Sequence, residues 1–453
     1  MIKAIRKFNI RLPFFTSILI KSFHPFVIIM LTHLFINHRS KSFLLPLIFY
    51  YSIKSSVLFI FRSNPVQVTK LFKYSVIIGI IGCLTAFISN DSIFIYSIAG
   101  ILMGICSGIL IPSYATLKRT SRPKLLKSPS LKWKIGGILC SIFYLISLAK
   151  LIQLNSSIVF ILLGSALIWL YQHQSENLVF DVKNKNDYPE YAIFESLFLF
   201  IVIFGSVFVL KEDKKEGITN LLPGLICTIF IIMIFYSIYR YKKHPERRIS
   251  FKLSSIIIYK GMLTNFILAF LTFYQVIKNG ESELMVIYYI YLVGMLVKGA
   301  LISFLKKIFY GISEQQLIMT GLFVSFIFLL FQPTFYVGIL CLSLFVSELN
   351  SELDEYVYNH VDLPKDFRLI AKARLTNIGS VINQLIMFTT LYIAALYTNT
   401  TVLNVLKAYH SQKESLDFLS VLNVTKNSIL IIFVVYLYGL QKILRKVTTT
   451  NNE

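Results

Sequence analysis

Residues Leu71–Arg119 read LFKYSVIIGIIGCLTAFISNDSIFIYSIAGILMGICSGILIPSYATLKR. Two apolar runs, 71–90 and 93–114, are parted only by a short polar break at Ser89-Asn90-Asp91 and closed by Lys118-Arg119. Each is about the ~20 residues that a helix needs to cross a ~30 Å hydrocarbon core. Neither carries the charged face of a helix on a water-exposed surface. The pair reads as a helical hairpin through a bilayer.

The same signal recurs along the chain. Apolar runs lie at 13–36, 43–62, 71–90, 93–114, 135–154, 157–173, 190–210, 220–241, 251–275, 284–305, 316–332, 334–348, 371–397 and 427–443. Those at 157–173 and 334–348 are short, so the count expected is twelve to fourteen. Lipid offers no water to backbone polar groups, which leaves helices or closed barrels as spanning structures, and runs this long exclude a barrel. Composition agrees. The 453 residues are 56% hydrophobic and 15% charged, with a mean hydropathy of +0.69. Water-soluble domains are ~25% charged, so a soluble multidomain enzyme is excluded. The first run is too long for a cleavable signal peptide, carries Lys21, His24 and His33, and is followed by no small-residue cleavage pattern. The five cysteines (Cys83, Cys106, Cys140, Cys227 and Cys341) all fall inside apolar runs and form no C-x-x-C pair, so they read as small buried residues.

A net charge of +23 first suggests a nucleic-acid partner. The distribution of the charge removes that reading. With fourteen spans and the N-terminus inside, 31 of the 45 Lys and Arg fall in inside segments, densest over 118–134, and 10 fall outside. Basic residues concentrate on the cytoplasmic side of helical membrane proteins and lie there against anionic lipid without any further partner. Both termini are then cytoplasmic.

Four cations remain within spans: Lys21, Lys54, Lys260 and Lys298. Dividing the spans as six, two and six puts Lys21 and Lys54 on the first two of one half. Lys260 and Lys298 then lie on the first two of the other. Each lies seven to nine residues from the inner end of its span, roughly 11–14 Å at 1.5 Å per residue, close to the midplane. Polar neighbours share their helix faces: Ser17 and His24 with Lys21, Tyr50 with Lys54, Thr264 with Lys260, and Tyr291 with Lys298. A charge at that depth costs at least ~2.5–3.5 kcal/mol, so it should meet water, a partner or a ligand. Intramembrane acids are scarce; Glu195 is the clear one, and Glu348 stands at a span end. Snorkelling lysines or structural ion pairs are the plainer readings of the same pattern.

Within 93–114, Gly104, Gly108 and Pro112 form G-x-x-x-G-x-x-x-P. This run resembles the fourth helix of major facilitator superfamily transporters, in particular the fourteen-helix drug:proton antiporter branch. The thirteenth run, RLTNIGSVINQLIMFTTLYIAALY from Arg374, resembles the thirteenth helix of that branch. The resemblance implies an all-α membrane fold of two six-helix bundles, 1–173 and 251–453, joined by two extra helices in 174–250. It implies secondary transport by alternating access, with antiport and efflux as the branch's activity. The chain departs from the family in three places. The 62–70 loop has neither the aspartate nor the glycines of the usual motif, the matching 306–311 loop has no acid, and no antiporter signature follows in 135–154. Gly104, Gly108 and Pro112 also fit ordinary small-residue helix packing.

In facilitator-type anion exchangers a cation on helix 1 and one on the matching helix of the second half clamp the anion, and Lys21 and Lys260 match by position. Lys54 and Lys298 would extend the positive field, with Tyr50, Tyr291, Asn377 and Asn383 lining the cavity. His24 and Glu195 are the titratable candidates for proton linkage. The expected partners are a small anionic or amphipathic solute and membrane lipid. A flippase for lipid-linked oligosaccharide or other amphipathic lipid and a non-transporting membrane scaffold remain as alternatives. There is no H-E-x-x-H, G-x-S-x-G or Walker motif, so neither enzyme, cofactor nor metal centre is expected.

Overall fold

The computed structural model describes residues 13–38, 44–60, 68–89, 92–121, 156–174, 249–280, 282–398 and 416–450, with scattered positions in 136–151 and 200–205. Every regular element among them is helical. In chain order these are α1 (Pro13–His38), α2 (Leu45–Ile60), α3 (Val68–Phe87), α4 (Ile93–Ser121) and α5 (Ser156–Gln174). They continue with α6 (Phe251–Asn265), a π-helical turn at Phe266–Leu271 that runs into α7 (Thr272–Asn279), α8 (Ser282–Ile308), α9 (Glu314–Leu330), α10 (Phe335–His360), α11 (Lys365–Tyr397) and α12 (Leu416–Thr450). Seven helices among the described residues are long and apolar enough to cross a bilayer, and α2, α5 and α9 are shorter apolar helices. The chain is a multi-pass integral membrane protein.

The helices lie where the apolar runs lie. Two differ in length. The short run at 334–348 is the first half of α10, which continues through Glu348, Glu352 and Asp354 to His360. The stretch 416–426, which precedes the last apolar run at 427–443, forms the opening turns of α12. Its apolar residues Phe418, Leu419 and Leu422 belong to the same helix as the span that follows; Leu422 is fully buried and the other two are half-buried. The two additional spans at 190–210 and 220–241, and nearly all of 174–250, lie outside the described residues.

The chain divides into two compact units. Unit 1 is Met1–Glu216 with Pro364–Ala373, and unit 2 is Gly217–Leu363 with Arg374–Glu453. In unit 1, α2 and α3 pack along α4, α3 also packs on α5, and α1 touches α2, α4 and α5. In unit 2, α8 and α9 pack along α10, α9 also meets α12, and α6 touches α10 and α12. Each unit thus repeats one pairing scheme, with α8, α9 and α10 taking the places of α2, α3 and α4.

Backbone proximity fixes the α2–α4 pair. Gly100, Gly104 and Gly108 recur every four residues and line one face of α4. Facing them on α2 are Pro46, Tyr50 and Lys54, also four apart. A Cβ on Gly104 would stand 2.8 Å from the Tyr50 carbonyl oxygen, and one on Gly108 would stand 2.9 Å from that of Lys54. Small residues let helix backbones approach this closely in lipid, where no hydrophobic force drives helices together. Unit 2 has its own close crossing. A Cβ on Gly261 of α6 would lie 3.0 Å from Thr376 Cα of α11, and one on Gly379 of α11 would lie 3.1 Å from Gly261 Cα.

Gly104→Leu should therefore force α2 from α4 and lower stability by about 1–3 kcal/mol, as overpacking does. Gly164→Ala should be nearly silent, because its Cβ would meet Cys83 Cβ at an ordinary 3.4 Å. Thermal unfolding of both variants in the same detergent distinguishes the two sites.

Candidate functional site

Helix α1 is enclosed by protein. From Thr16 to Thr32 every residue is buried except Lys21, which is exposed. Such a helix hides its backbone and apolar side chains on all sides and opens at a single charged position. Pro25 lies one turn further on. It has no N–H, so the helical hydrogen bond that would end on the Lys21 carbonyl is missing.

Three residues after Lys21, His24 points into a buried polar chain. Its Nδ1 is 2.6 Å from the Tyr50 hydroxyl, and its Nε2 is 2.5 Å from Lys54 Nζ. The Tyr50 hydroxyl donates to Ser107 Oγ at 2.9 Å. Donor counting assigns the rest. A phenol has one hydrogen, so with Ser107 as its acceptor it receives Nδ1–H from His24. The Nε2 lone pair then accepts from the Lys54 ammonium. The Tyr50 ring stacks on the imidazole with centroids 5.7 Å apart, and Tyr51 meets it edge-on at 6.4 Å. Helices α1, α2 and α4 thus each supply a member. The glycine face of α4 sets their spacing, since it brings the α2 backbone close enough for Tyr50 to reach Ser107. By sequence, none of α1 to α5 carries an Asp or Glu.

Unit 2 places its lysine differently. Lys298 Nζ on α8 donates to the Ser347 carbonyl at 2.9 Å and to Ser351 Oγ, and it pairs with Glu348 Oε2 at 3.3 Å. Glu348 looked terminal in the sequence; the continuation of α10 to His360 brings it to the level of Lys298. Helix α8 bends by 54° between Met285–Gly299 and Leu301–Ile308, immediately after this lysine, where Gly299 removes side-chain support. Lys260 is half-buried, and its carbonyl accepts from Thr264 Oγ1 at 3.0 Å. Tyr291 and Asn377 are half-buried. Asn383 is fully buried and donates to Asn265 Oδ1 at 2.9 Å, beside the π-helical turn.

The structure therefore joins His24, Tyr50 and Lys54 into one cluster with Ser107, and it gives Lys298 to Glu348. Gly104 and Gly108 support the first cluster through packing. Pro112, one turn beyond, frees the Gly108 carbonyl from its helical bond. Glu195 lies outside the described residues. Among the described residues no group of His, Cys, Asp and Glu is arranged to hold a metal ion.

Sequence reasoning missed Ser107, Asn265 and the burial of Lys426. Lys426, which stands just before the apolar run at 427–443, is buried in α12. Its Nζ lies 5.2 Å from the Tyr274 ring centroid and 5.8 Å from that of Phe335, within cation–π range, and it donates to the Leu330 carbonyl at 3.4 Å. The 306–311 loop itself holds no acid. Glu314, three residues further on at the start of α9, pairs with Lys306.

No protein-family model matches this chain, and no curated protein does. Solved structures do. A POT family transporter crystallised with 5-aminolevulinic acid is 14% identical, with 96% of each chain covered and a TM-score of 0.56. The POT family transporter PepTSo is 8% identical, with 95% of this chain and 98% of that chain covered and a TM-score of 0.50. These likenesses show a fold shared with those two structures over nearly the whole chain.

The Lys298–Glu348 pair sets up a stability cycle. Lys298→Met leaves a largely buried carboxylate without its cation and should cost on the order of 3 kcal/mol. Lys298→Met with Glu348→Gln should recover most of that loss. Equal destabilisation of the single and double variants, read by thermal unfolding, would show that the pair is not the source.

Proposed function

We propose that this protein is a secondary transporter for a small anionic solute. The observation that carries the reading is Lys21, the sole exposed position within an otherwise buried 17-residue stretch of α1. A lysine one turn from His24, in a helix otherwise closed to solvent, has the access that a ligand requires. Lysine binds carboxylate or phosphate as a point charge, and the low dielectric around a buried site strengthens the attraction. The absence of acids from the sequence of α1 to α5 leaves the local field positive, and Tyr50 and Ser107 add neutral hydrogen-bonding groups nearby.

The remaining parts of the reading follow from the sequence. The lysine repeat supports two six-helix bundles, 1–173 and 251–453, with the helices of 174–250 inserted between them. The concentration of cations in alternate loops supports cytoplasmic termini. Parallel repeats with a site near the midplane suit alternating access by rocking of the two halves. In this scheme Lys260 serves the second half as Lys21 serves the first. Lys298, which is ion-paired to Glu348, shapes that half and is not a direct contact to the anion.

Reconstitution of the full chain in proteoliposomes tests the reading. With a panel of labelled carboxylates and phosphates, one class should accumulate. Lys21→Gln combined with Lys260→Gln should lower kcat/KM for it by about tenfold or more, the weight of a charged hydrogen bond. Unchanged transport of every accepted anion by that variant would refute the lysine site. Preference for a lipid-linked pyrophosphate over all soluble anions would shift the reading to a flippase.

A further inference from the structure

We propose that Lys54 links anion binding to protonation of His24, so that one proton enters the site with each anion. The proposal deepens the anion-transporter reading and rests on it. Lys54 Nζ and His24 Nε2 stand 2.5 Å apart and share one hydrogen. Either the ammonium donates and the imidazole accepts, or the reverse. Two fully protonated groups would have no acceptor between them and would repel at short range in a low dielectric. The second ring nitrogen offers no other seat for the proton. Nδ1 is engaged by the Tyr50 hydroxyl, and that hydroxyl by Ser107. At rest the pair thus carries a single positive charge.

An anion changes that balance. By drawing the Lys54 ammonium to itself, it breaks the Lys54–His24 hydrogen bond and exposes the Nε2 lone pair. The anion's charge also cancels the repulsion that kept a second proton away. Before binding, the site holds Lys54 as ammonium and His24 as neutral imidazole. Afterwards it holds the ammonium beside the anion, and an imidazolium with hydrogens on both nitrogens. One anion and one proton have entered; for a monoanion the net charge is unchanged, and for a dianion it falls by one. Loss of either returns the lysine to the histidine. Tyr50 is the positioning residue, because its hydroxyl holds the imidazole by Nδ1 and keeps Nε2 aimed at Lys54.

The surroundings offer few competing groups. On α1 itself, Lys21 and His33 are the other titratable residues of the described side chains. The α2 helix contributes Lys54, Tyr50 and Tyr51. Tyr96, Cys106, Tyr114, Lys118 and Arg119 lie on α4 and Tyr171 on α5, and Tyr144 meets Phe15 of α1 edge-on. The start of α11, grouped with the same unit, carries Lys365, Asp366, Arg368 and Lys372. Among the helices packed on α1, only nitrogen bases, phenols and a thiol are available, so the proton that accompanies the anion has His24 as its nearest seat.

The full chain, labelled with 15N-histidine and placed in nanodiscs of phosphatidylethanolamine and phosphatidylglycerol, gives two measurements. The His24 signal is assigned by its loss in His24→Gln. At one fixed pH, added sulfate should shift the wild-type His24 signals from the one-proton to the two-proton pattern, while in Lys54→Met the same anion should leave them unchanged. An identical response to sulfate in the two proteins would overturn the linkage. In weakly buffered solution, sulfate (which carries no titrating proton near neutrality) and succinate should each drive uptake of one proton per anion bound by the wild type, and none by His24→Gln. This arm needs only the wild type if Lys54→Met does not fold. Anion binding without proton uptake would overturn the linkage and leave the anion site standing. Failure of both anions to bind would overturn the anion reading and this inference with it.

Discussion

Backbone contact between α2 and α4 is the constraint on which the first unit depends. The carbonyls of Tyr50 and Lys54 come so near Gly104 and Gly108 that a single methyl group on either glycine would crowd them. This contact has two consequences. It holds together two helices that, in lipid, gain nothing from hiding apolar surface from water. It also sets the distance at which Tyr50 reaches across to Ser107, and from there the orientation of His24 and the position of Lys54 follow. The glycines take no part in the chemistry; they determine where the polar groups can meet.

Among the described residues, three lysines show three ways of accommodating charge within the helices. Lys298 is neutralised by Glu348 and bonded to the α10 backbone. Lys426 rests over two aromatic rings and gives a hydrogen bond to a carbonyl. Lys54 bonds to a neutral base that can itself be charged. The first two arrangements spend the cation on structure, because its partners are fixed and complete. The third leaves the cation a partner that a ligand can displace, which is the physical difference between a lysine that braces a helix pair and one that can respond to binding.

Parts of this arrangement were legible without coordinates. Apolar length placed α1 to α4, α5 and α6 to α12, because a bilayer imposes its thickness on every run. Charge placed Lys21, Lys54, Lys260 and Lys298 within those runs. The helical period put Tyr50 with Lys54 and His24 with Lys21. Three things could not be read this way. Glu348 seemed terminal because polar residues follow it, yet α10 continues for three more turns. Lys426 seemed extramembrane because the apolar density rises after it, yet the helix begins ten residues earlier. Ser107 gave no signal at all, since serine is common in membrane helices and only its neighbour across the interface gives it a role.

Taken alone, the sequence determined that the chain crosses the membrane many times and that Lys21, Lys54, Lys260 and Lys298 fall inside its apolar runs. Those properties depend on composition along single helices, where hydrophobic length and the 3.6-residue period decide. Tertiary structure decided which lysine meets which partner: Lys54 meets a histidine, Lys298 a carboxylate, and Lys21 an opening in an otherwise sealed helix. These outcomes depend on how closely two helices approach and at what register. Side chains from segments far apart in the chain govern both, so no local pattern could express them.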